Sequence, residues 1–351
     1  MSAKHYLTYV NDRCNMNCPY CYDSRKRTGE EMPDAVIDAC LDFYRRTAGD
    51  EALSIMFLGG EPSLSPHVLR RFLEGAGESW FFELMTNAFN WQPDFLDMLR
   101  PYRKRLTIIA SYDGMFQERR KPGSTERVLG NIRMAISRGF MVVPCWTTTD
   151  ETVGSLFENA RKLIADTAGF RRLFIKRNCH HNIWGNNAAY LQGLAANIDR
   201  YAALLAHERI VRGQYVQTLN RIETGSDLNC VHRKGTFSCQ TGFPSQVVVG
   251  MDGALYPCEL YASNHRHPIG DVWKGHDMDA LRAMSAPDYA GAARRNNVCP
   301  WWNEARNGDW RDCSGCINDE ADNMLFAARG KMQDHLDRLG RLKAAFGGGY
   351  V

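Results

Sequence analysis

At 351 residues with a formal charge of +3, the chain can bury a substantial core in about two units, and its charge balance excludes an electrostatic case for nucleic-acid binding. It shows neither a secretory signal nor an apolar run of membrane-spanning length. Its 12 cysteines therefore argue for metal and redox use in a reducing, cytoplasmic setting rather than for disulfides. The short basic groups Arg25-Lys26-Arg27 and Arg119-Arg120-Lys121 read as solvated surface.

Strands and helices alternate over the first two hundred or so residues. Apolar runs of strand length and bulky or β-branched content occur at Tyr6 to Val10, Leu53 to Leu58, Trp80 to Met85, Leu106 to Ser111, Phe140 to Trp146 and Arg171 to Lys176. Between them lie amphipathic stretches near Pro33 to Thr47, Pro66 to Ala76, Pro93 to Leu99, Ser124 to Arg138, Ser155 to Ala168 and Ala188 to Arg212. In the first of these, Pro33 suits an N1 position, and Val36, Ala39, Cys40, Phe43 and Tyr44 share one face. Six βα units in series predict an α/β fold, a parallel sheet forming a partial (β/α)6 TIM-like barrel with chemistry at the C-terminal strand ends. Farther on, Gln246 to Val249 and Ala254 to Tyr256 read as a hairpin turning at Asp252-Gly253.

The loop after the first strand carries Cys14, Cys18 and Cys21 in a C-x3-C-x2-C pattern. A cubane iron-sulfur cluster ordinarily takes four thiolates, so three close together mean either a distant fourth ligand or a deliberately open iron. A zinc knuckle would want four nitrogen or sulfur ligands at closed spacing, and the nearby histidine, His5, lies upstream on the strand. The second strand ends in Gly59-Gly60-Glu61-Pro62, the third in Thr86-Asn87, and the fourth in Ser111-Tyr112-Asp113-Gly114.

The cysteine triplet with Tyr20 before its last member, the GGEP segment and the Ser-x-Asp-Gly segment together resemble the radical S-adenosylmethionine (radical SAM) superfamily over roughly the first 210 residues. The resemblance implies a 4Fe-4S cluster on Cys14, Cys18 and Cys21, with S-adenosylmethionine chelating the fourth iron. It further implies that Tyr20, Gly59, Gly60, Glu61, Pro62, Asn87, Ser111 and Asp113 contribute to the cofactor pocket. The GGEP segment would grip the amino group, while the later strand ends would meet carboxylate, ribose or substrate. Strand five, with Pro144-Cys145-Trp146-Thr147, departs from the family pattern.

A second cysteine group begins downstream. Cys239 and Gly253-Ala254-Leu255-Tyr256-Pro257-Cys258 are similar to the C-x(9-15)-G-x4-C signature of SPASM/twitch auxiliary-cluster domains. The similarity implies one auxiliary 4Fe-4S cluster on Cys239, Cys258 and Cys316, with Cys230 as fourth ligand. Cys299 and Cys313 either serve a second, incompletely ligated cluster or are plain thiols. The chain lacks the C-x2-C-x5-C-x3-C run of a complete SPASM domain, and a structural zinc fold is the competing reading of this region. The expected organisation is a barrel over 1–212, a cysteine-rich SPASM/twitch-like domain with the hairpin over 213–325, and a C-terminal helix and tail over 326–351.

Cys40 reads as a small buried hydrophobe, and Cys145 either as the same or as a thiol facing the cavity. Cys179, in Lys176-Arg177-Asn178-Cys179-His180-His181, stands at the expected rim, either as a hydrogen-atom donor or as an unreactive loop thiol. Family resemblance implies reductive cleavage of S-adenosylmethionine to a 5′-deoxyadenosyl radical and hydrogen abstraction from an unactivated C–H bond. With the auxiliary cluster it points to modification of a ribosomally made peptide or protein by crosslinking, epimerisation or oxidation. An epimerase or dehydrogenase of a sugar, cyclitol or other small molecule is the competitor, and a noncatalytic iron-sulfur electron carrier a third reading. The first barrel strand lies at the start of the sequence, so the expectation is that a separate leader-peptide-binding protein delivers the peptide, that recognition is leaderless, or that the substrate is small. An external flavodoxin or ferredoxin would supply electrons.

Overall fold

The structure is a computed structural model. It describes residues 4–21, 28–49, 51–92, 94–167, 172–177, 187–211, 215–217, 246–256 and 268–277, with single positions at 259, 262, 265, 334 and 337. The chain divides into two compact units, Met1–Ile109 with Asn229–Cys316, and Ala110–Leu228 with Ile317–Val351.

In the first unit β1 (Lys4–Asn11), β2 (Leu53–Gly59) and β3 (Trp80–Thr86) alternate with α1 (Asp34–Ala48), α2 (Pro66–Glu74) and α3 (Phe95–Leu99). Two further strands, β8 (Gln246–Val249) and β9 (Leu255–Tyr256), extend the sheet past β1, giving the order β3-β2-β1-β8-β9. The β1–β2, β2–β3 and β1–β8 pairs are parallel, whereas β8 and β9 form the antiparallel hairpin that the sequence suggests. Gly253, at φ +80°, turns it. What the pattern does not announce is the parallel docking of β8 on β1, with Thr8 opposite Val249.

Side-chain alternation along β1 separates two packed faces. Tyr6 and Thr8 meet α1: the Tyr6 ring lies 5.5 Å from Phe43 and 5.0 Å from Tyr44, and Thr8 Oγ1 lies 2.6 Å from the Tyr44 hydroxyl. Phe57 stacks on Phe82 at 5.8 Å and meets Phe72 of α2 at 5.5 Å. Each such fully buried aromatic contributes roughly 2–3 kcal/mol through area removed from water. On the opposite face Leu7, Tyr9, Leu58, Val248, Tyr256 and Ala262 cluster, with Met56, Met85 and Met251 against them. Helix α1 buries Val36, Ile37, Cys40, Leu41, Phe43 and Tyr44, which confirms Cys40 as a core residue. Pro33 is its N-cap rather than N1, because an extended ψ of 147° lets its carbonyl accept from Val36 N–H and Ile37 N–H.

The second unit takes the end of β4 (Leu106–Ser111), then α4 (Thr125–Ser137), β5 (Met141–Thr148), α5 (Leu156–Asp166), β6 (Arg172–Arg177), α6 (Asn187–Val211) and β7 (Tyr215–Gln217). The strand order is β7-β6-β5-β4, and the β5–β6 and β6–β7 pairs are parallel. Within each unit the successive parallel strands lie side by side in chain order and alternate with helices, as βα units in series require. Strand β5 is buried at every position after Met141, with Cys145 1% exposed. Two short strands, β10 (Gly270–Asp271) and β11 (Gly275–His276), pair separately in the first unit.

Gly114 follows β4 at φ +61°, where a Cβ would stand 2.2 Å from Asn159 Oδ1. Gly130, inside α4, has nothing within 4 Å of an added Cβ. Gly114→Ala is expected to destabilise the protein by about 1–3 kcal/mol, and Gly130→Ala to stabilise it by about 0.5–1 kcal/mol. Denaturant unfolding of both variants checks the pair of opposite signs.

Candidate functional site

The site in the first unit is built where β1 ends. Asn11, fully buried, donates from Nδ2 to the Glu61 carbonyl at 2.9 Å and to Ser65 Oγ at 2.6 Å. Gly60 N–H donates to the Asn11 carbonyl at 3.1 Å, and Glu61 N–H to the Arg13 carbonyl at 2.6 Å. Glycines are needed for this approach. A Cβ on Gly59 would lie 2.3 Å from the Asn11 carbonyl oxygen, and one on Gly60 would lie 2.2 Å from that of Arg13. Main chain packed this tightly admits no side chain.

Asp12 closes the cysteine loop. Its carboxylate accepts from Thr28 N–H and Thr28 Oγ1 at 2.6 Å each, and from Gly29 and Glu30 N–H at 2.8 Å each. Asp12 N–H in turn donates to the Glu30 carbonyl at 3.1 Å, and Met32 N–H to the Val10 carbonyl at 2.9 Å. Burial pushes the Asp12 carboxyl upward, but the hydrogen bonds outweigh it and hold it below its ordinary value. Next to this clamp Arg13 pairs with Glu31, which also meets His67 Nε2 at 2.8 Å.

Cys14, Cys18 and Cys21 are half-buried and form no disulfide, with Cys21 N–H donating to the Cys18 carbonyl at 3.1 Å. Tyr20, between them, is also half-buried. Among the described residues no three Cys, His, Asp or Glu side chains gather as ligands of a single metal ion. The donor set is three thiols on one short loop, which suits the spread corners of a cubane better than a lone zinc ion.

Glu61 is buried at 1% exposure and already committed. One carboxylate oxygen accepts from Thr86 Oγ1 at 2.6 Å and Ser63 N–H at 3.1 Å; the other accepts from Asn87 N–H at 2.5 Å. Burial raises its pKa, and these bonds act against that rise. The carboxylate therefore stitches the end of β2 to the end of β3. Thr86 Oγ1 also accepts from Ala88 N–H at 3.1 Å and Trp91 Nε1 at 3.2 Å. Ala88, at φ +54°, takes a conformation costly for a residue with a Cβ. Asn87 reaches back to the cysteine loop, donating from Nδ2 to Asn15 Oδ1 at 2.8 Å and to Cys14 Sγ at 3.7 Å. The motif residues Cys14, Gly59, Gly60, Glu61, Pro62 and Asn87 thus form one connected group.

Ser111 and Asp113 belong to the second unit and are likewise built into strand ends. Asp113, 1% exposed, accepts from Arg119 Nη2 at 3.0 Å and Nε at 3.1 Å. That guanidinium continues to the Thr147 carbonyl at 2.9 Å and Thr149 Oγ1 at 3.1 Å, while Arg120 donates to the Ser111 carbonyl. Arg119 and Arg120 are therefore not the solvated surface that their basic run suggests; an acidic residue six positions upstream was the available signal. Asp12 and Asn11 also escaped the motif reading. Their sole signal was a polar pair ending an apolar strand. Cys179, Cys230, Cys239, Cys258, Cys299, Cys313 and Cys316 lie outside the described residues, as do His180 and His181.

Residues 8–166, rather less than half of the chain, match the family model described as the Radical SAM superfamily. The matched segment carries Cys14, Cys18 and Cys21, the GGEP segment and Ser111 to Gly114. Among curated proteins, an uncharacterized protein of Methanocaldococcus jannaschii is 28% identical over 90 residues, covering 24% of this chain and 30% of that protein. The alignment thus spans under a third of that relative's length. Among solved structures, anSMEcpe with bound AdoMet aligns at 15% identity and TM-score 0.71 over 95% of this chain and 100% of that one. The same protein with AdoMet and Kp18Cys peptide aligns at 15% identity and TM-score 0.70, over 95% and 99%. Streptococcus suis SuiB bound to its precursor peptide SuiA aligns at 13% identity and TM-score 0.57, over 79% of this chain and 64% of that one. At these identities the likeness to solved structures is one of fold.

Two substitutions test the architecture. Asp12→Asn replaces an acceptor by a group that faces N–H donors with its own N–H, and should lower stability at pH 7 by about 1–3 kcal/mol. Because the folded carboxyl is held down, its contribution is present above the unfolded value of about 4 and lost as pH falls through the lower folded value. The variant should accordingly show a flatter acid limb in pH-dependent unfolding. Thr86→Val keeps shape but leaves Glu61, Ala88 and Trp91 each short of a partner, and should cost about 2 kcal/mol or more in denaturant unfolding.

Proposed function

We propose that the protein is a radical SAM enzyme that modifies a peptide or protein substrate at an unactivated C–H bond. The observation that carries the reading is the cysteine loop, closed by Asp12 and joined through Asn11, Gly60 and Asn87 to the GGEP turn. An electron carrier has no use for that turn beside its cluster.

In this reading Cys14, Cys18 and Cys21 hold three irons of a 4Fe-4S cluster and leave one for S-adenosylmethionine. When bound and reduced, the pair supplies a 5′-deoxyadenosyl radical that removes hydrogen from the substrate. The chain's own groups supply position. The Glu61 carboxylate acts first as a strut, since three of its roughly four acceptor sites serve Thr86, Ser63 and Asn87. The methionine ammonium falls to main-chain carbonyls of the GGEP turn, which the close contact of Gly59 and Gly60 with the Asn11 and Arg13 carbonyls holds in place. Asp113 acts through its ion pair with Arg119, which sets the end of β4 against that of β5, and Ser111 and Tyr20 offer further polar contacts to the cofactor. Cys239, Cys258 and Cys316 with Cys230 would hold an auxiliary 4Fe-4S cluster, which would supply an electron acceptor for a net oxidation, with Cys299 and Cys313 as lesser candidates. Cys179 remains the candidate hydrogen-atom donor. A peptide is favoured as substrate because two structures of similar fold hold one, Kp18Cys in anSMEcpe and SuiA in SuiB. A flavodoxin- or ferredoxin-type donor would provide the electron.

Anaerobically reconstituted protein with dithionite and S-adenosylmethionine should release 5′-deoxyadenosine. Cys14→Ala, Cys18→Ala and Cys21→Ala should each abolish release, and an unaffected triple variant would sink the reading. Iron analysis should give about eight irons per chain, with about four removing the auxiliary cluster. Mass spectrometry of candidate peptides against sugars, incubated with enzyme, then decides the substrate class: product formed only from sugars would overturn the peptide assignment.

A further inference from the structure

Asn87 sits just past β3 at 5% exposure, with its backbone N–H and both ends of its side-chain amide engaged. Its backbone N–H donates to Glu61 Oε2 at 2.5 Å, and its side-chain oxygen accepts from Phe89 N–H at 2.9 Å. The second contact fixes the amide orientation, because a backbone N–H can only donate. The NH2 end must then face the cysteine loop, where it meets Asn15 Oδ1 at 2.8 Å and Cys14 Sγ at 3.7 Å, an ordinary separation for a donor to the larger sulfur atom.

We infer that Asn87 is a positioning and potential-setting residue for the cysteine loop rather than a ligand of S-adenosylmethionine: its Nδ2 hydrogen bond to Cys14 Sγ orients that thiolate and raises the reduction potential of the cluster the loop holds. The inference rests on the proposed radical SAM reading. A donor on a coordinating sulfur draws electron density from it, and this favours the reduced, more negative cluster over the oxidised one. Geometry adds a second effect. The bond to Asn15 and the bond to Cys14 pin adjacent loop residues to one amide, and Glu61 holds that amide's backbone to the GGEP turn. Cys14 is thus placed by a residue that is itself tied to the GGEP turn.

The test uses anaerobically reconstituted full-length protein without S-adenosylmethionine, titrated with dithionite under electron paramagnetic resonance. Asn87→Asp keeps the shape and the acceptor for Phe89 but removes the donor; Asn87→Ser removes both reach and donor without adding charge. Both should titrate at a more negative midpoint potential than wild type at equal iron content. Midpoints equal to wild type in both variants overturn the inference. Should either variant fail to hold a cluster, wild-type protein labelled with 15N at asparagine side chains decides. Pulsed resonance of the reduced cluster should then detect a coupled side-chain nitrogen, and its absence overturns the inference. A wild-type protein giving no cluster signal at all would instead remove the radical SAM reading, and the inference with it.

Discussion

Everything in the candidate site depends on how closely two pieces of main chain approach. The Asn11 and Arg13 carbonyls accept from Gly60 and Glu61 N–H, and the Cβ positions of Gly59 and Gly60 are occupied by carbonyl oxygen. Backbone hydrogen bonds between strand ends position a site more rigidly than side-chain contacts, since few torsions separate the bonded atoms. Because β1 and β2 are parallel neighbours, their C-terminal ends meet at one level. The register breaks between Tyr9 and Asn11, letting Asn11 stand opposite Gly59. From there the chain leaves the sheet into the cysteine loop and returns through the Asp12 clamp at Thr28 to Glu30.

The polar network above this contact shows how a buried carboxylate is made tolerable. Glu61 is removed from water, which by itself favours its neutral form. Donors from Thr86, Ser63 and Asn87 answer that desolvation. The same donors belong to the end of β3, so satisfying the carboxylate also fixes the next strand end. Strain accompanies the arrangement: Ala88 holds a positive φ, and the Thr86 hydroxyl that accepts its N–H also bonds Glu61 and Trp91. Backbone held in such a conformation persists where surrounding bonds over-determine it.

In the second unit a comparable solution appears with opposite parts. Asp113 and Arg119 form a buried ion pair, and the guanidinium's remaining donors reach the Thr147 carbonyl and Thr149 hydroxyl. Phe116 lies against Trp146 at 6.3 Å, with the Arg119 guanidinium 5.6 Å from the Phe116 ring centre. Hydrogen bonds offset the desolvation of a pair this enclosed, and the guanidinium's remaining N–H groups are spent on joining two strand ends. Gly114 lets the chain turn over Asn159, which donates to the Asp113 carbonyl and accepts from Met115 N–H.

Sequence alone determined the periodic elements and the reactive residue types. Bounded apolar runs and amphipathic spacing placed β1 to β6 and α1 to α6 to within a few residues, because such patterns reflect local geometry. The spacing of Cys14, Cys18 and Cys21 and the Gly59-Gly60-Glu61-Pro62 segment likewise marked the site, since glycine and cysteine carry their chemistry with them. Tertiary structure decided the partners. That β8 pairs in parallel with β1, that Arg119 is an ion-pair member rather than surface, that Glu61 is a strut, and that Asn87 faces Cys14 all depend on residues far apart in the chain. Hydrogen bonds between distant strand ends leave no periodic trace along the chain, so only the folded sheet reveals which polar groups meet.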